Sequence, residues 1–193
     1  MPIHPTPVVG VLGVLPDVRR RLPLGVRRPG AGLVLLGRTG ADFGGSAWAW
    51  AVHGHLGGRP PAVDLTAERA LAAVLAAAAQ DGLLAAAHDL SDGGLAVALA
   101  ESCVRGPSGP VGCHVSLPGD PFTMLFSESP ARVVAEVAPG AEAALAALCQ
   151  RHEVPVTDLG TVGGDRLDVA GCFSVALDRL AAVRAAVLPD LFG

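Results

Sequence analysis

The sequence predicts an α+β protein in which helices pack on a mixed sheet, forming a mixed α/β sandwich. Short apolar runs typical of strands alternate with helical patterns, but they do not follow the strict β-α-β order of a doubly wound sheet. The 193 residues are 51% hydrophobic and 17% charged, a composition typical of one globular domain, or of one domain and a fragment.

After residue 32, the first half of the chain predicts two strands and three helices. The strands are expected at residues 33–36 and 83–87. The clearest helix runs from Thr66 to Gly82, because apolar residues recur at helical spacing and a glycine ends the pattern. A shorter helix follows the cap residue Ser46, and another carries Leu95, Leu99 and Cys103 on one face.

The second half predicts further strands and two helices. Strands are expected at residues 113–117, 124–126, 132–137 and 173–176. Residues 156–162 and 167–169 flank Gly163-Gly164-Asp165, which indicates a hairpin. One helix opens after Pro139-Gly140, and the last contains Leu180, Val183 and Val187.

The beginning of the chain predicts a domain boundary. Residues 8–15 have the apolar pattern of a buried strand, which needs neighbours on both sides. This strand either pairs with later strands or belongs to a sheet whose other members lie outside the chain. We predict a terminal strand of a preceding domain over 1–18, a linker over 19–32 and an α/β domain over 33–193.

Charge, hydropathy and cysteine spacing exclude several functions. The formal net charge of −4 provides no general cationic field for nucleic acid. No stretch reaches the roughly 20 apolar residues of a transmembrane helix, and residues 1–7 do not resemble a secretory signal. We therefore expect a cytoplasmic protein without a membrane partner. The four cysteines contain no C-x-x-C pair and are expected to be buried free thiols.

The polar turn after the strand at 83–87 is the main candidate site. It places Asp89, Ser91, Asp92, Gly93 and Gly94 at the start of a helix. Free backbone N–H groups, the helix dipole and carboxylate ligands suit phosphate and magnesium there. The alternative is that Ser91 or Asp92 caps the helix and the glycines permit a tight turn.

Two other segments are weaker candidates. Ser127-Glu128-Ser129 interrupts an apolar stretch, and it either projects from a strand end or forms an ordinary loop. Gly44, Gly45 and Ser46 precede a helix, where the backbone either approaches an anion or makes a plain turn. The sequence contains no Walker phosphate loop, no G-x-G-x-x-G and no pattern of a nucleophilic triad. We assign no catalytic residue.

Several segments, taken in order, resemble a known family over nearly the whole chain. They are Pro5-Thr6-Pro7, Leu35-Leu36-Gly37, Gly44-Gly45-Ser46, His88-Asp89-Leu90-Ser91-Asp92-Gly93-Gly94, Leu125-Phe126-Ser127-Glu128-Ser129 and Leu159-Gly160. Together they resemble the C-terminal part of phosphoribosylformylglycinamidine synthase, the large synthetase subunit of purine biosynthesis. The resemblance implies a C-terminal α/β domain like that of aminoimidazole ribonucleotide synthetase.

The resemblance also implies an activity, cofactors and partners for the full-length protein. The family uses ATP and Mg²⁺ to activate formylglycinamide ribonucleotide, and ammonia from a glutaminase subunit displaces the phosphate to give the amidine. Its catalytic histidine and main ligands lie in earlier domains. Likeness to the first half of the family's chain implies that Asp89 is a magnesium ligand and that Glu128-Ser129 faces a ligand. Pro130 departs from the first half's Gln, and the second half is associated with an auxiliary nucleotide site that binds ATP or ADP.

Three functions remain open on the sequence. The chain is the C-terminal portion of the synthase and inactive when separated from the remaining synthase domains, or it is a non-catalytic scaffold that holds a nucleotide. An intact small-molecule kinase or synthetase of the same superfamily would need an Asp-bearing N-terminal domain, which this sequence does not contain.

Overall fold

The computed structural model describes residues 9–192, with side chains to residue 187, and this part contains seven strands, six α-helices and a short 3-10 helix at Val18–Arg20. The strands are β1 (Gly32–Leu36), β2 (Leu84–Asp89), β3 (Cys113–Val115), β4 (Val133–Val137), β5 (Val156–Val162), β6 (Arg166–Val169) and β7 (Phe173–Ala176). The helices are α1 (Ala47–His53), α2 (Leu65–Asp81), α3 (Gly94–Val104), α4 (Pro121–Phe126), α5 (Glu142–Arg151) and α6 (Leu177–Phe192).

The seven strands form one mixed sheet in the order β2-β4-β1-β5-β3-β6-β7. Neighbouring strands are antiparallel except β3 and β6, which are parallel. Each central strand is therefore paired along both edges, which satisfies its backbone hydrogen bonds away from water.

Helices cover both faces of the sheet. Successive residues of a strand point to opposite faces, so neighbouring residues of β1 enter different cores. Leu35 packs in a core with α3 and the start of α6, whereas Leu36 packs in a second core with α2 and α5. The result is the mixed α/β sandwich that the sequence predicts.

Capping residues and an apolar stripe determine where the longest described helix, α2, begins and ends. The Asp64 carboxylate accepts hydrogen bonds from the backbone N–H groups of Thr66 and Ala67, and Gly82 ends α2 in the left-handed conformation. Leu71, Val74 and Ala78 form its buried stripe. The helix predicted from Thr66 to Gly82 is thus confirmed.

Two predictions for the second half of the chain are wrong. Residues 124–126 are not a strand but the end of α4, because Asp120 caps this helix and Pro121 occupies its first turn. β5 and β6 do not form a hairpin, because β3 lies between them and pairs with both. The glycine turn at residues 163–164 therefore connects strands that are not neighbours.

The predicted strand at 8–15 is not formed over residues 9–15, which have no regular structure and are exposed; Val8 lies outside the described residues. Val11 and Leu12 are 93% and 96% exposed. A strand needs a partner, and no strand of the described residues pairs with this segment. Part of the predicted linker belongs to the core, since Val26 is buried and its N–H donates to the Ser102 carbonyl at 3.0 Å.

The cysteines are free, as the sequence predicts, but only three of them are buried. Cys172 is exposed, because it lies in the turn between β6 and β7. No helix in the described part of the chain is both long and apolar enough to cross a bilayer.

Candidate functional site

A groove of about 550 Å³ lies between α2, the β2–α3 turn and the segment that precedes β4. It brings together four of the predicted site residues, Asp89, Ser91, Asp92 and Glu128. Its remaining lining includes Glu68, Pro130, Ala131, Arg132 and apolar residues of α2.

The β2–α3 turn presents an ionised carboxylate to solvent. The Ser91 hydroxyl donates to Asp89 Oδ2 at 2.6 Å, and this hydrogen bond is the main reason why the pKa of Asp89 lies below its ordinary value. His88 supports the turn from behind: its Nδ1 is 2.7 Å from the Asp89 carbonyl oxygen, and its Nε2 is 3.0 Å from Glu101 Oε2. The Asp89 carboxylate is therefore both exposed and charged at neutral pH.

Glu128 joins the starts of two helices. Its Oε1 accepts hydrogen bonds from Gly93 N–H at 2.7 Å, just before α3, and from Ala47 N–H at 2.8 Å, at the start of α1. A carboxylate is favourable at a helix N-terminus, where backbone N–H groups lack partners. The Gly93 N–H that the sequence offers to a phosphate is therefore already occupied by this side chain.

Gly94 is required by close packing. It has φ +63°, and a Cβ at this position would lie 2.5 Å from the Ser127 carbonyl oxygen. Its N–H donates to the Ser91 carbonyl at 3.0 Å. The tight-turn role that the sequence left open therefore applies to Gly94.

Arg132 is a site residue that the sequence analysis did not single out. Its guanidinium is buried and donates from Nε to the Ser129 carbonyl at 3.0 Å, from Nη1 to Thr39 Oγ1 at 3.1 Å and from Nη2 to the Ser127 carbonyl. Burial lowers the pKa of Arg132 to about 10, against the opposing effect of nearby carboxylates. An arginine directly before an apolar strand was the signal available in the sequence.

The two serines beside Glu128 belong to the same buried network. Ser129 Oγ donates to Asp42 Oδ2 at 2.6 Å and accepts from Gly40 N–H at 2.9 Å. Ser127 Oγ accepts from Asp42 N–H at 3.2 Å. Ser129 thus lines a neighbouring groove of about 460 Å³ rather than the groove that contains Asp89.

Gly44, Gly45 and Ser46 do not line the groove around Asp89. A Cβ on Gly44 would lie 2.0 Å from the Arg59 carbonyl oxygen, and Gly45 N–H donates to the Gly57 carbonyl at 3.0 Å. Ser46 is buried and caps α1 by accepting from Ala49 N–H at 3.2 Å. These contacts fit the turn and capping roles, not the approach of an anion.

The described residues contain no group of three or more His, Cys, Asp or Glu side chains that could hold a metal ion. Mg²⁺ does not require such a cage, because it is commonly held by one or two carboxylates, waters and phosphate oxygens. The exposed Asp89 carboxylate and Asp92, which lines the same groove, fit a Mg²⁺ ion held by one or two carboxylates.

The match to known proteins places this sandwich in a defined class. Residues 28–172 match the family described as AIR synthase related protein, C-terminal domain. The chain therefore belongs to this family.

Among curated proteins, the chain is similar along its whole length to one kind of synthase subunit. The chain is 52% identical over 194 residues to the phosphoribosylformylglycinamidine synthase subunit PurL of Frankia casuarinae, covering 100% of this chain and 25% of that protein. It is 54% identical over 195 residues to the PurL subunit of Thermobifida fusca, covering 99% of this chain and 25% of that protein. The chain spans about a quarter of the length of these relatives.

Solved structures share the fold. PurL of Thermotoga maritima complexed with FGAR superposes with a TM-score of 0.70 at 23% identity, over 84% of this chain and 29% of that chain. The same protein complexed with ATP gives a TM-score of 0.65 at 21% identity, over 85% and 28%. The hydrogenase maturation protein HypE of E. coli gives 0.53 at 19% identity, over 81% and 50%.

Proposed function

We propose that this chain is the C-terminal portion of phosphoribosylformylglycinamidine synthase, which converts formylglycinamide ribonucleotide to its amidine in purine biosynthesis. The observation that carries the proposal is the identity of 52–54% with two PurL subunits along the length of this chain. In this assignment the full-length protein is an ATP-dependent C–N ligase, and this chain is one of the domains that form the enzyme.

The groove around Asp89 supports a role in binding a magnesium nucleotide. Asp89 and Asp92 supply carboxylates that would hold Mg²⁺, and the metal would neutralise phosphate oxygens of ATP or ADP. Glu128 keeps the start of α3 closed to a bare phosphate, so the nucleotide would reach this site through the metal. Calorimetry should show that magnesium strengthens the binding of ADP, and that this magnesium-dependent gain is lost in Asp89→Asn. An equal gain in Asp89→Asn would contradict this assignment.

The proposal extends to partners and location. The remaining synthase domains would contact this chain, a glutaminase subunit would supply ammonia and the ribonucleotide would bind in the assembled enzyme. A solved structure described as PurLQS from Thermotoga maritima supports the expectation of an assembly with other subunits. The site of action would be the cytoplasm.

A scaffold role is the second candidate function, and the hydrogen bonds of the polar side chains support it. Glu128, Ser129 and Arg132 bond within the fold, and each holds a turn or a helix end in place. This is the arrangement expected of a scaffold that supports the barrel of neighbouring domains and holds an auxiliary nucleotide. It differs from the first proposal in requiring no direct contact with the reacting groups.

A turnover assay tests the proposed function. The purified chain should form no amidine from formylglycinamide ribonucleotide, ATP, Mg²⁺ and ammonia, because positioned reacting groups from other domains are needed. Co-expression with the remaining three quarters of the Thermobifida fusca subunit should restore amidine formation. Turnover by the purified chain alone would contradict the proposal, as would an inactive complex that contains both parts.

A further inference from the structure

A second groove, of about 440 Å³, lies at the opposite end of α2 and β2 from Asp89. It is lined by the C-terminal end of α2, by Leu84 at the start of β2 and by residues of the segment 17–28. The groove around Asp89 borders residues 68–75 of α2 and the end of β2 instead. The two grooves share no lining residue.

Arginines dominate this second groove, which we call the arginine groove. Five of the chain's fourteen basic residues line it, beside a single carboxylate. The arginines are Arg19, Arg20, Arg21, Arg27 and Arg28, and the carboxylate is that of Asp17. Because the whole chain has a net charge of −4, this concentration creates a local positive field on an acidic protein.

Two of the five arginines are already engaged. Arg19 and Asp17 form a bidentate pair, with Nε 2.9 Å from Oδ1 and Nη2 2.9 Å from Oδ2. This pair uses the only carboxylate that lines the groove. Arg20 donates to the Gln80 carbonyl near the end of α2, where a cation is favourable.

The other three arginines have no acidic partner among the side chains described, up to residue 187. Arg21 and Arg28 are exposed, and Arg27 Nε is buried without a hydrogen-bond partner. Arg27 N–H donates to Glu136 Oε2 at 2.8 Å. Burial raises the pKa of Glu136 and favours its neutral form, so this carboxyl cancels less of the positive charge than an exposed one would.

We propose that the arginine groove binds the phosphate or pyrophosphate group of a small molecule. Guanidinium groups bind phosphate through paired N–H donors, and three of those that line this groove have no ion-pair partner among the described side chains. The volume lies within the range of roughly 300–1,000 Å³ typical of small-molecule sites. Leu22, Ala79, Leu84 and Ala138 supply apolar surface for the organic part of a nucleotide or a sugar phosphate. This site is separate from the groove around Asp89 and does not depend on the proposed function.

Calorimetry of the full chain with inorganic pyrophosphate, and separately with ADP in the absence of magnesium, tests the proposal. We expect binding of both probes, and at least tenfold weaker binding after combined Arg21→Gln and Arg28→Gln, two exposed positions where substitution leaves the core intact. Tighter binding of ADP would identify a nucleotide, and equal binding would identify the phosphate groups as sufficient.

Matched controls separate this groove from general charge effects. Combined Arg69→Gln and Arg151→Gln removes two exposed arginines outside the groove and should leave binding unchanged, as should Asp89→Asn. Absence of pyrophosphate and ADP binding, or equal weakening by the two double variants, would overturn the proposal. It would also be overturned if polyglutamate or duplex DNA bound more tightly than both probes, because the groove would then serve a macromolecule.

Discussion

Two charged side chains, Glu128 and Arg132, hold the candidate site together. Glu128 accepts hydrogen bonds from backbone N–H groups at the starts of α1 and α3. Arg132 donates hydrogen bonds to the carbonyls of Ser127 and Ser129, the two residues that flank Glu128. The backbone of residues 127–129 is thereby fixed from both directions. The site is therefore set by internal hydrogen bonds before any ligand binds.

Removal of the Glu128 carboxylate should destabilise the fold. Glu128→Ala leaves two backbone N–H groups without an acceptor, and we expect the free energy of unfolding to fall by about 2–3 kcal/mol. Glu128→Gln keeps an acceptor oxygen and should cost about 1 kcal/mol. Urea unfolding measures both, with Glu142→Ala at the exposed start of α5 as the control. Equal stability of wild type and Glu128→Ala would contradict the bridging role.

Glu136 should give stability a distinctive pH dependence. Burial raises its pKa in the folded state, so the folded protein binds this proton more tightly than the unfolded chain does. The contribution of Glu136 is therefore fully favourable below the ordinary glutamate range, and it is lost as pH rises through the folded-state pKa.

The variant Glu136→Gln isolates this effect. Relative to wild type, its free energy of unfolding should increase between pH 4 and pH 7, because the buried amide never ionises. Urea unfolding at several pH values provides the measurement. A difference from wild type that stays constant, or that moves the other way, would show that Glu136 is not responsible.

At the scale of elements, helix ends were predictable and strand neighbours were not. Asp64 caps the start of α2 and Gly82 caps its end through local hydrogen bonds, and such caps leave a clear pattern in the sequence. The place of β3 between β5 and β6 depends on pairing between distant segments, so a glycine turn suggested the wrong hairpin. The apolar residues before Ser127 suit a strand or a helix equally, and the cap at Asp120 decides for the helix.

The packing of α3 against the end of α4 predicts a graded response to alanine. Gly119→Ala places a side chain at φ +81° in open space and should cost about 1–2 kcal/mol of backbone strain. Gly94→Ala has similar strain at φ +63° and adds overlap with the Ser127 and Leu125 carbonyl oxygens. It should cost about 1–3 kcal/mol more, as overpacking does. Equal effects in thermal or urea unfolding would contradict this close approach.

At the scale of the whole molecule, the exposed apolar segment at residues 9–15 predicts association. Val9, Val11, Leu12 and Val14 are each more than 80% exposed, and such a segment readily pairs with another chain or packs on a neighbouring domain. Sedimentation velocity should show concentration-dependent self-association that Val11→Glu with Val14→Glu reduces. A monodisperse monomer at all concentrations would count against this role.

Some residues of the candidate groove were predictable from the sequence, but the contacts that connect them were not. The carboxylates of the β2–α3 turn and the Ser-Glu-Ser segment stand out because polar residues interrupt apolar runs. Glu128 bonds residues 35 and 81 positions away, and no local pattern reveals contacts at such separations. Arg132 was not predicted either, since its partner Thr39 lies 93 positions away and its other acceptors, the carbonyls of Ser127 and Ser129, are backbone groups that leave no side-chain pattern.

The most direct test of the central claim is a chimera in which this chain replaces the matching quarter of the Thermobifida fusca PurL subunit. Amidine formation is measured from formylglycinamide ribonucleotide, ATP, Mg²⁺ and ammonia, with the subunit lacking that quarter as the control. We expect activity within about tenfold of the parent subunit, a loss of no more than about 1.4 kcal/mol in transition-state stabilisation. A folded chimera no more active than the truncated control would contradict the assignment.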